Sequence, residues 1–413
     1  MSRETPLRVL AVEPESQPGG MWHYACSLAK ALQSAGAEVA LATILPFEPL
    51  EDGLDLPVWP LGARAPHARP AAPSLVLRGA SHICKVGRLC ALTRRFRPDV
   101  VHVLNPIGKL DGAYFWAIKA LGARVVYTAH EPRADTGDGW PESLRYTAAD
   151  AILVHSSNGV KDLTTRGIPE SKIVQIHHGN YLHFCRRVEL SPEAAKRSLG
   201  LQPADRVVLF FGTIAPYKGL DALIDALGAL RDAGLLPYLV VAGEPLEDVG
   251  AYRRRVHALG LTERVVFDLR YIPFAELPKY FLSADVVVFP YRRIYQSGVL
   301  QLAYGYGRPV VATAVGGVGE AVAEDGTGVV VPPGDPPALA AALRAVLSNP
   351  GMAEEMGRRA YRAAEDKYSW RAIAQTIEGV YRRVCRHSSR DETGLPRHAP
   401  EDRHPRAAGS ARR

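Results

Sequence analysis

Val286-Val-Val-Phe289 is a solid apolar run with no polar alternation, so a strand built from it must be covered on both faces. A parallel sheet flanked by helices provides that cover. After a short polar loop, Gln296-Ser297-Gly298 reads as a helix start, with Ser297 placed to cap it, and the helix ends near Gly305 and Gly307. A second buried strand, Pro309 to Thr313, runs into the glycine pair Gly316-Gly317. Strand, turn, helix, strand, glycine turn leaves free backbone N–H groups at helix starts, which is how an α/β sheet holds an anion. The stretch up to Glu320 is therefore expected to hold the phosphates of a nucleotide-activated substrate.

The same runs recur along the chain. Leu7 to Val12 breaks into Pro14–Gly20, a helix follows with Ala25, Leu28, Ala29 and Leu32 on one face, and Glu38 to Thr43 is the next strand. Further strands are expected at Asp99–Leu104, Arg124–Thr128, Ala151–His155 and Lys172–Ile176, then at Arg206–Gly212, Tyr238–Ala242, Val265–Leu269, Asp285–Phe289, Pro309–Thr313 and Gly328–Val331. Between the two series, residues 186–205 have no strand pattern and contain Pro192 and Pro203, so the interdomain hinge is placed there. The fold class is α/β, with domains at 1–185 and 206–368, a helix over 369–386 and a basic tail, expected to be disordered, over 387–413.

Composition excludes several functions. The chain has 413 residues, 47% hydrophobic and 23% charged, enough for two ordinary cores. Its five cysteines are scattered without a C-x-x-C pair, which predicts reduced, mostly buried thiols and no metal site. The N-terminus runs directly into a strand, so no signal peptide is expected, and no apolar segment is long enough to span a bilayer; the expected location is the cytoplasm. The formal charge of +7 implies an anionic partner, but much of it lies in the tail and in the helix over 75–96, so nucleic acid is not expected. On that helix Arg78, His82, Lys85, Arg88 and Arg95 share one arc opposite Leu77, Cys84 and Leu92, and 62–98 holds no acidic residue. This is either a solvated surface face or a peripheral contact with an anionic membrane through residues 75–97.

With these stretches in place the chain resembles glycosyltransferase family 4. The resemblance rests on Pro18-Gly-Gly20, Phe211-Gly-Thr-Ile-Ala-Pro-Tyr-Lys-Gly-Leu220, Val241-Ala-Gly243, Ala284–Pro290 and Gly307-Arg-Pro-Val-Val-Ala312 into Gly316-Gly317. It implies the GT-B fold: two facing Rossmann-like domains with the active site in the cleft, the N-terminal one binding the acceptor and the C-terminal one the nucleotide sugar. It also implies a final helix crossing back to the N-terminal domain, beginning at Tyr368-Ser-Trp370. The implied activity is a retaining, hexosyltransferase-type transfer without metal or other cofactor, the nucleotide sugar being substrate, in polysaccharide biosynthesis. The implied acceptor is a carbohydrate or lipid-linked group.

Two departures stand out. The paired glutamates common in the family fall at Ile294 and Leu302, and the arginine before the Pro-x-Lys-Gly segment falls at Ala215. A catalytically silent GT-B binding subunit is therefore the alternative reading; an epimerase would need cleft carboxylates that are not identifiable. A departing diphosphate needs cations and N–H donors, and the candidates are Lys218, Ser297, Gly298 and Val299, with Gly19 and Gly20 allowing close approach from the opposite domain. Arg133, Arg292 or Arg293 could replace the missing arginine's charge. His130, at a strand end where the family often has a histidine, is the catalytic candidate, with Glu131 beside it an acceptor-side base. Sugar or nucleoside contacts are assigned to His178, Glu244, Tyr271, Ile272, Gln296 and Glu320.

Overall fold

The computed structural model describes residues 5–14, 20–45, 53–63, 75–107, 111–132, 140–185 and 189–391. The first sheet comprises β1 (Arg8–Glu13), β2 (Glu38–Leu45), β3 (Val58–Ala63), β4 (Val100–Val103), β5 (Arg124–Thr128), β6 (Ala151–Val154) and β7 (Ile173–Gln175), in the order β3-β2-β1-β4-β5-β6-β7. Every pairing is parallel. Its helices are α1 (Gly20–Ser34), α2 (Leu75–Phe96), α3 (Asp111–Ala120), α4 (Trp140–Ala148) and α5 (Ser157–Thr165). Because side chains alternate along a strand, Val9 and Ala11 join a core with α1, while Leu10 and Val12 join another with α2 to α5.

Two short helices, α6 (Leu182–Cys185) and α7 (Pro192–Ser198), lead to the second sheet. It contains β8 (Val207–Phe211), β9 (Tyr238–Ala242), β10 (Val265–Asp268), β11 (Val286–Phe289), β12 (Val310–Thr313) and β13 (Gly328–Val331), ordered β10-β9-β8-β11-β12-β13 and again parallel. The accompanying helices are α8 (Leu220–Asp232), α9 (Gly250–Ala258), α10 (Leu277–Ser283), α11 (Gly298–Gly305), α12 (Gly316–Asp325), α13 (Pro336–Ser348) and α14 (Pro350–Glu365). Both sheets reverse direction of growth beside their first strand, β1/β4 and β8/β11. That reversal opens a crevice at the carboxyl ends of the strands, where α/β sheets bind ligands.

The last helix, α15 (Trp370–Asp391), returns to the first sheet. Ile373, Ala374, Ile377, Val380, Tyr381 and Val384 recur at helical spacing and sit in one core with Ala25, Leu28 and Leu32 of α1. Each of the larger side chains contributes about 1.5–3 kcal/mol by leaving water.

The structure differs from the sequence expectations in places. β3 had no counterpart among them, because Pro60 interrupts a run that pairs only on one side, as an edge strand permits. The stretch placed as a hinge over 186–205 holds α7, whose Lys196 bonds Asp285 at 3.1 Å, and Tyr181, Leu182 and Leu201 already belong to a core of the second sheet. Of the cysteines only Cys26 is buried; Cys84 is exposed and three are intermediate, all as free thiols. On α2 the arc expected to be apolar is split: Leu89 and Phe96 face inward, but Ile83 is 71% exposed beside Cys84. Arg88 donates to the Leu61 carbonyl at 3.2 Å. No described helix is long and apolar enough to cross a membrane. Residues 392–413 of the expected basic tail lie outside the described residues.

Candidate active site

The turn after β8 buries a lysine beside the start of α11. Pro216–Lys218 forms one 3-10 turn closed by Gly219, whose φ of +69° suits glycine and where a Cβ would stand 2.0 Å from the Pro290 carbonyl oxygen. No larger residue fits there, and the closure directs Lys218 inward. Its ammonium is buried, 5.4 Å from the centre of the Tyr291 ring. It also stands 3.1 Å from where a Gly212 Cβ would be, with Val299 of α11 within 3.3 Å of the same point. Burial lowers the Lys218 pKa to about 8, with the Glu131 carboxylate acting in the opposite sense. A cation this dry beside a helix start is poised to regain charge stabilisation from an anion.

Ser297 occupies the N-cap position of α11, but its hydroxyl makes no capping bond, contrary to expectation. Instead Gln296 Oε1 accepts from the Ser297 N–H at 3.0 Å. That donor is thus already used, and what α11 presents are the Ser297 hydroxyl and the amides of Gly298 and Val299. Gly20 opens α1 on the opposite side, and its carbonyl accepts from the Tyr181 hydroxyl at 3.1 Å. A Cβ on Gly298 would lie 3.2 Å from the Tyr181 ring and 3.7 Å from His178. One tyrosine therefore ties the start of α1 in one half to the first turn of α11 in the other. Gly19 and Arg133 lie outside the described residues.

Three histidines cluster at the carboxyl ends of neighbouring strands. His130, His155 and His178 close β5, β6 and β7, and their neighbouring ring centroids lie 5.0 and 5.5 Å apart. The Tyr24 ring packs against all three at 5.0–5.6 Å. His178 donates from Nδ1 to the Gly179 carbonyl at 2.9 Å, and His155 from Nδ1 to that of Ile176 at 3.3 Å. That choice of tautomer leaves Nε2 as an acceptor in each. Nε2 of His130 and of His155 is buried without a partner among the described residues. Burial, reinforced by His178 and His102, lowers the His130 pKa to about 3; burial lowers that of His178 to about 4 and that of His155 well below its ordinary value. These are neutral imidazoles suited to accept hydrogen bonds from sugar hydroxyls. Among the described residues, no three His, Cys, Asp or Glu side chains are placed to hold a metal ion.

Other candidates fall elsewhere. Glu320 spends its carboxylate across the crevice, accepting from the Ser157 hydroxyl and, at 3.3 Å, from the Ser157 N–H at the start of α5. Ile272 is buried in the apolar core and Tyr271 is half-exposed beside it. Glu244 is exposed on the loop after β9. Arg292 is held by Asp221 and by the Pro216 carbonyl, both at 2.6 Å, so it does not replace the charge lost at buried Ala215; Arg293 lines the crevice. Part of the crevice is a cavity of about 480 Å³ between Glu131, Asn158 and Lys161 on one side and Tyr217, Arg293 and Val315 on the other. Tyr295 spans it, donating to Asp162 at 2.5 Å. His155, Tyr24 and Tyr181 were not among the sequence candidates, because nothing local distinguishes them from core residues.

Comparison with known proteins agrees with this geometry. Residues 205–349 match the family model described as glycosyl transferases group 1, and residues 19–179 match the glycosyl transferase 4-like domain. A D-inositol 3-phosphate glycosyltransferase of Corynebacterium urealyticum is 30% identical over 324 residues, covering 73% of this chain and 74% of the relative. An uncharacterised glycosyltransferase of Methanocaldococcus jannaschii is 32% identical over 248 residues, which are 57% of this chain and 60% of that one. Among solved structures, HepE of Anabaena in complex with UDP-glucose superposes with a TM-score of 0.71 at 18% identity, covering 91% of this chain and 99% of its own. Two facing parallel sheets, a cleft at their reversal points and these matches lead to one conclusion: the chain belongs to glycosyltransferase family 4 and is a glycosyltransferase of GT-B fold.

Proposed function

We propose that this glycosyltransferase moves a sugar from a nucleoside-diphosphate donor bound in the cleft, with retention of anomeric configuration and without a metal ion. The observation that carries the reading is Lys218, buried beside an uncapped helix start and bonded by no carboxylate among the described residues. Together, the ammonium and the α11 amides offer the departing diphosphate a compact cationic seat. UDP-glucose in the structurally similar HepE supports a donor of that class. His130, His155 and His178 are proposed to accept hydrogen bonds from the sugar, in place of the carboxylates missing at Ile294 and Leu302. The acceptor is proposed to be a lipid-linked or envelope saccharide, with the protein at a membrane surface on the cytoplasmic side; exposed Ile83 on the basic α2 supports that approach.

The test is hydrolysis and transfer across common sugar nucleotides, with and without EDTA. Turnover of one donor, insensitive to EDTA and lost in Lys218→Met, is the expected result. Absence of turnover together with absence of nucleoside-diphosphate binding in calorimetry would overturn the reading in favour of a silent subunit. Sedimentation with liposomes tests the membrane element, which fails if anionic and neutral vesicles recover the protein equally.

A further inference from the structure

Between α1, α6 and α15 lies a second cavity of about 730 Å³, within the range of small-molecule sites and outside the cleft. Its wall is aromatic on one side. His183 and Phe184 lie with ring centroids 4.0 Å apart, and Trp370 completes the surface. Cys26 and Ala31 of α1 add apolar area opposite. Two cations, Lys30 and Arg371, stand at its edge, and neither side chain has an ion-pair or hydrogen-bond partner among the described residues. The one acid in the lining, Glu378, is bonded by Arg382 at 2.6 Å. An aromatic slot beside two uncompensated positive charges selects a flat apolar body with an acidic head.

The cavity also touches the parts that join the two halves. The Trp370 indole donates to the Asn180 carbonyl at 2.7 Å, and a Cβ on Gly179 would collide with its ring. On its other side it meets Tyr24, the ring that packs the three cleft histidines. His23, also in the lining, packs its ring at a tilt against Phe274 of the second half, with centroids 3.8 Å apart.

We infer that this cavity is an effector site for an aryl anion, an aromatic body bearing one carboxylate, phosphate or sulfonate, and that its occupancy alters nucleotide affinity in the cleft. A ligand there presses on Trp370 and His23, so it binds unequally to arrangements in which those contacts differ, the condition for coupling two sites.

The test titrates the full chain with 8-anilinonaphthalene-1-sulfonate in the presence and absence of UDP. The expected result is saturable one-site binding that persists with UDP, weakens about tenfold in Lys30→Glu/Arg371→Glu and disappears in Ser27→Trp. UDP affinity should shift at least threefold when the sulfonate saturates the wild type. Equal sulfonate affinity in the charge-reversed variant overturns the site, and so does displacement by UDP in simple competition. UDP affinity indifferent to the sulfonate overturns its role as an effector site. The charge-reversed variant alters side chains at the rim of the cavity and carries the test if Ser27→Trp does not fold.

Discussion

At the residue scale, Lys218 is the group on which the proposed donor binding would turn. Its folded pKa of about 8 lies below the ordinary 10.5, so the native protein holds fewer protons than the unfolded chain between those values. Its contribution to stability therefore rises with pH across that window, and below pH 8 the fold carries the cost of a dry charge. A bound diphosphate repays that cost only while the ammonium is charged. UDP affinity measured by calorimetry should thus fall as pH rises from 8 to 10. In Lys218→Met it should be about 10- to 100-fold weaker at pH 7.5, from the loss of a charge-assisted bond, and nearly flat above pH 8.

At the scale of elements, α15 and the start of α12 are held by specific atoms. Tyr381 of α15 hydrogen-bonds His102 Nδ1 of β4 at 2.7 Å, and His102 Nε2 meets the Thr128 hydroxyl of β5, also at 2.7 Å. A neutral imidazole offers one donor and one acceptor, so both hydroxyls are needed to satisfy it. Tyr381→Phe leaves one ring nitrogen buried and unpaired, and chemical denaturation should show a loss of about 1–3 kcal/mol. Gly316, at the first turn of α12, has φ +50°, and a Cβ there would stand 1.8 Å from the Ile294 carbonyl oxygen. Gly316→Ala should cost about 2 kcal/mol or more, with Gly351→Ala, where the nearest atom is 3.8 Å away, as the tolerated control.

At the scale of the molecule, the first half buries several neutral histidines, and the two halves meet where His23 packs on Phe274 and through a clasp of polar bonds, Ser157 to Glu320 and Tyr295 to Asp162. His23, His102 and His130 titrate near 3 and His178 near 4, all lowered chiefly by burial. The unfolded chain takes up these protons from about pH 6.5 downward, whereas the native chain does not. Stability present above pH 6.5 is therefore lost as pH falls toward 4. The thermal midpoint should drop steeply between pH 7 and 4.5, and the drop should be shallower in His155→Gln. A midpoint unchanged to pH 4.5 would contradict this packing of the histidines.

Much of this architecture was legible in the chain itself. Apolar runs such as Val207–Phe211 and Val286–Phe289 have no polar face, so they specify strands covered on both sides before any partner is known. The places of Lys218 and Ser297–Val299 at a turn and a helix start were visible for a related reason: glycine turns after such strands mark where backbone can approach a ligand. Glu320 and His155 were not. A carboxylate after a glycine pair looks like a ligand contact until the fold sets it against the N-terminus of α5, and a histidine ending β6 looks like any strand residue until β5 and β7 bring His130 and His178 beside it. Strand, turn and helix follow from residues a few positions apart, because backbone sterics and the period of burial act locally. The pairing of groups from different strands and different halves depends on distances that only the closed packing sets, and there the tertiary structure decided which charges remained free for chemistry.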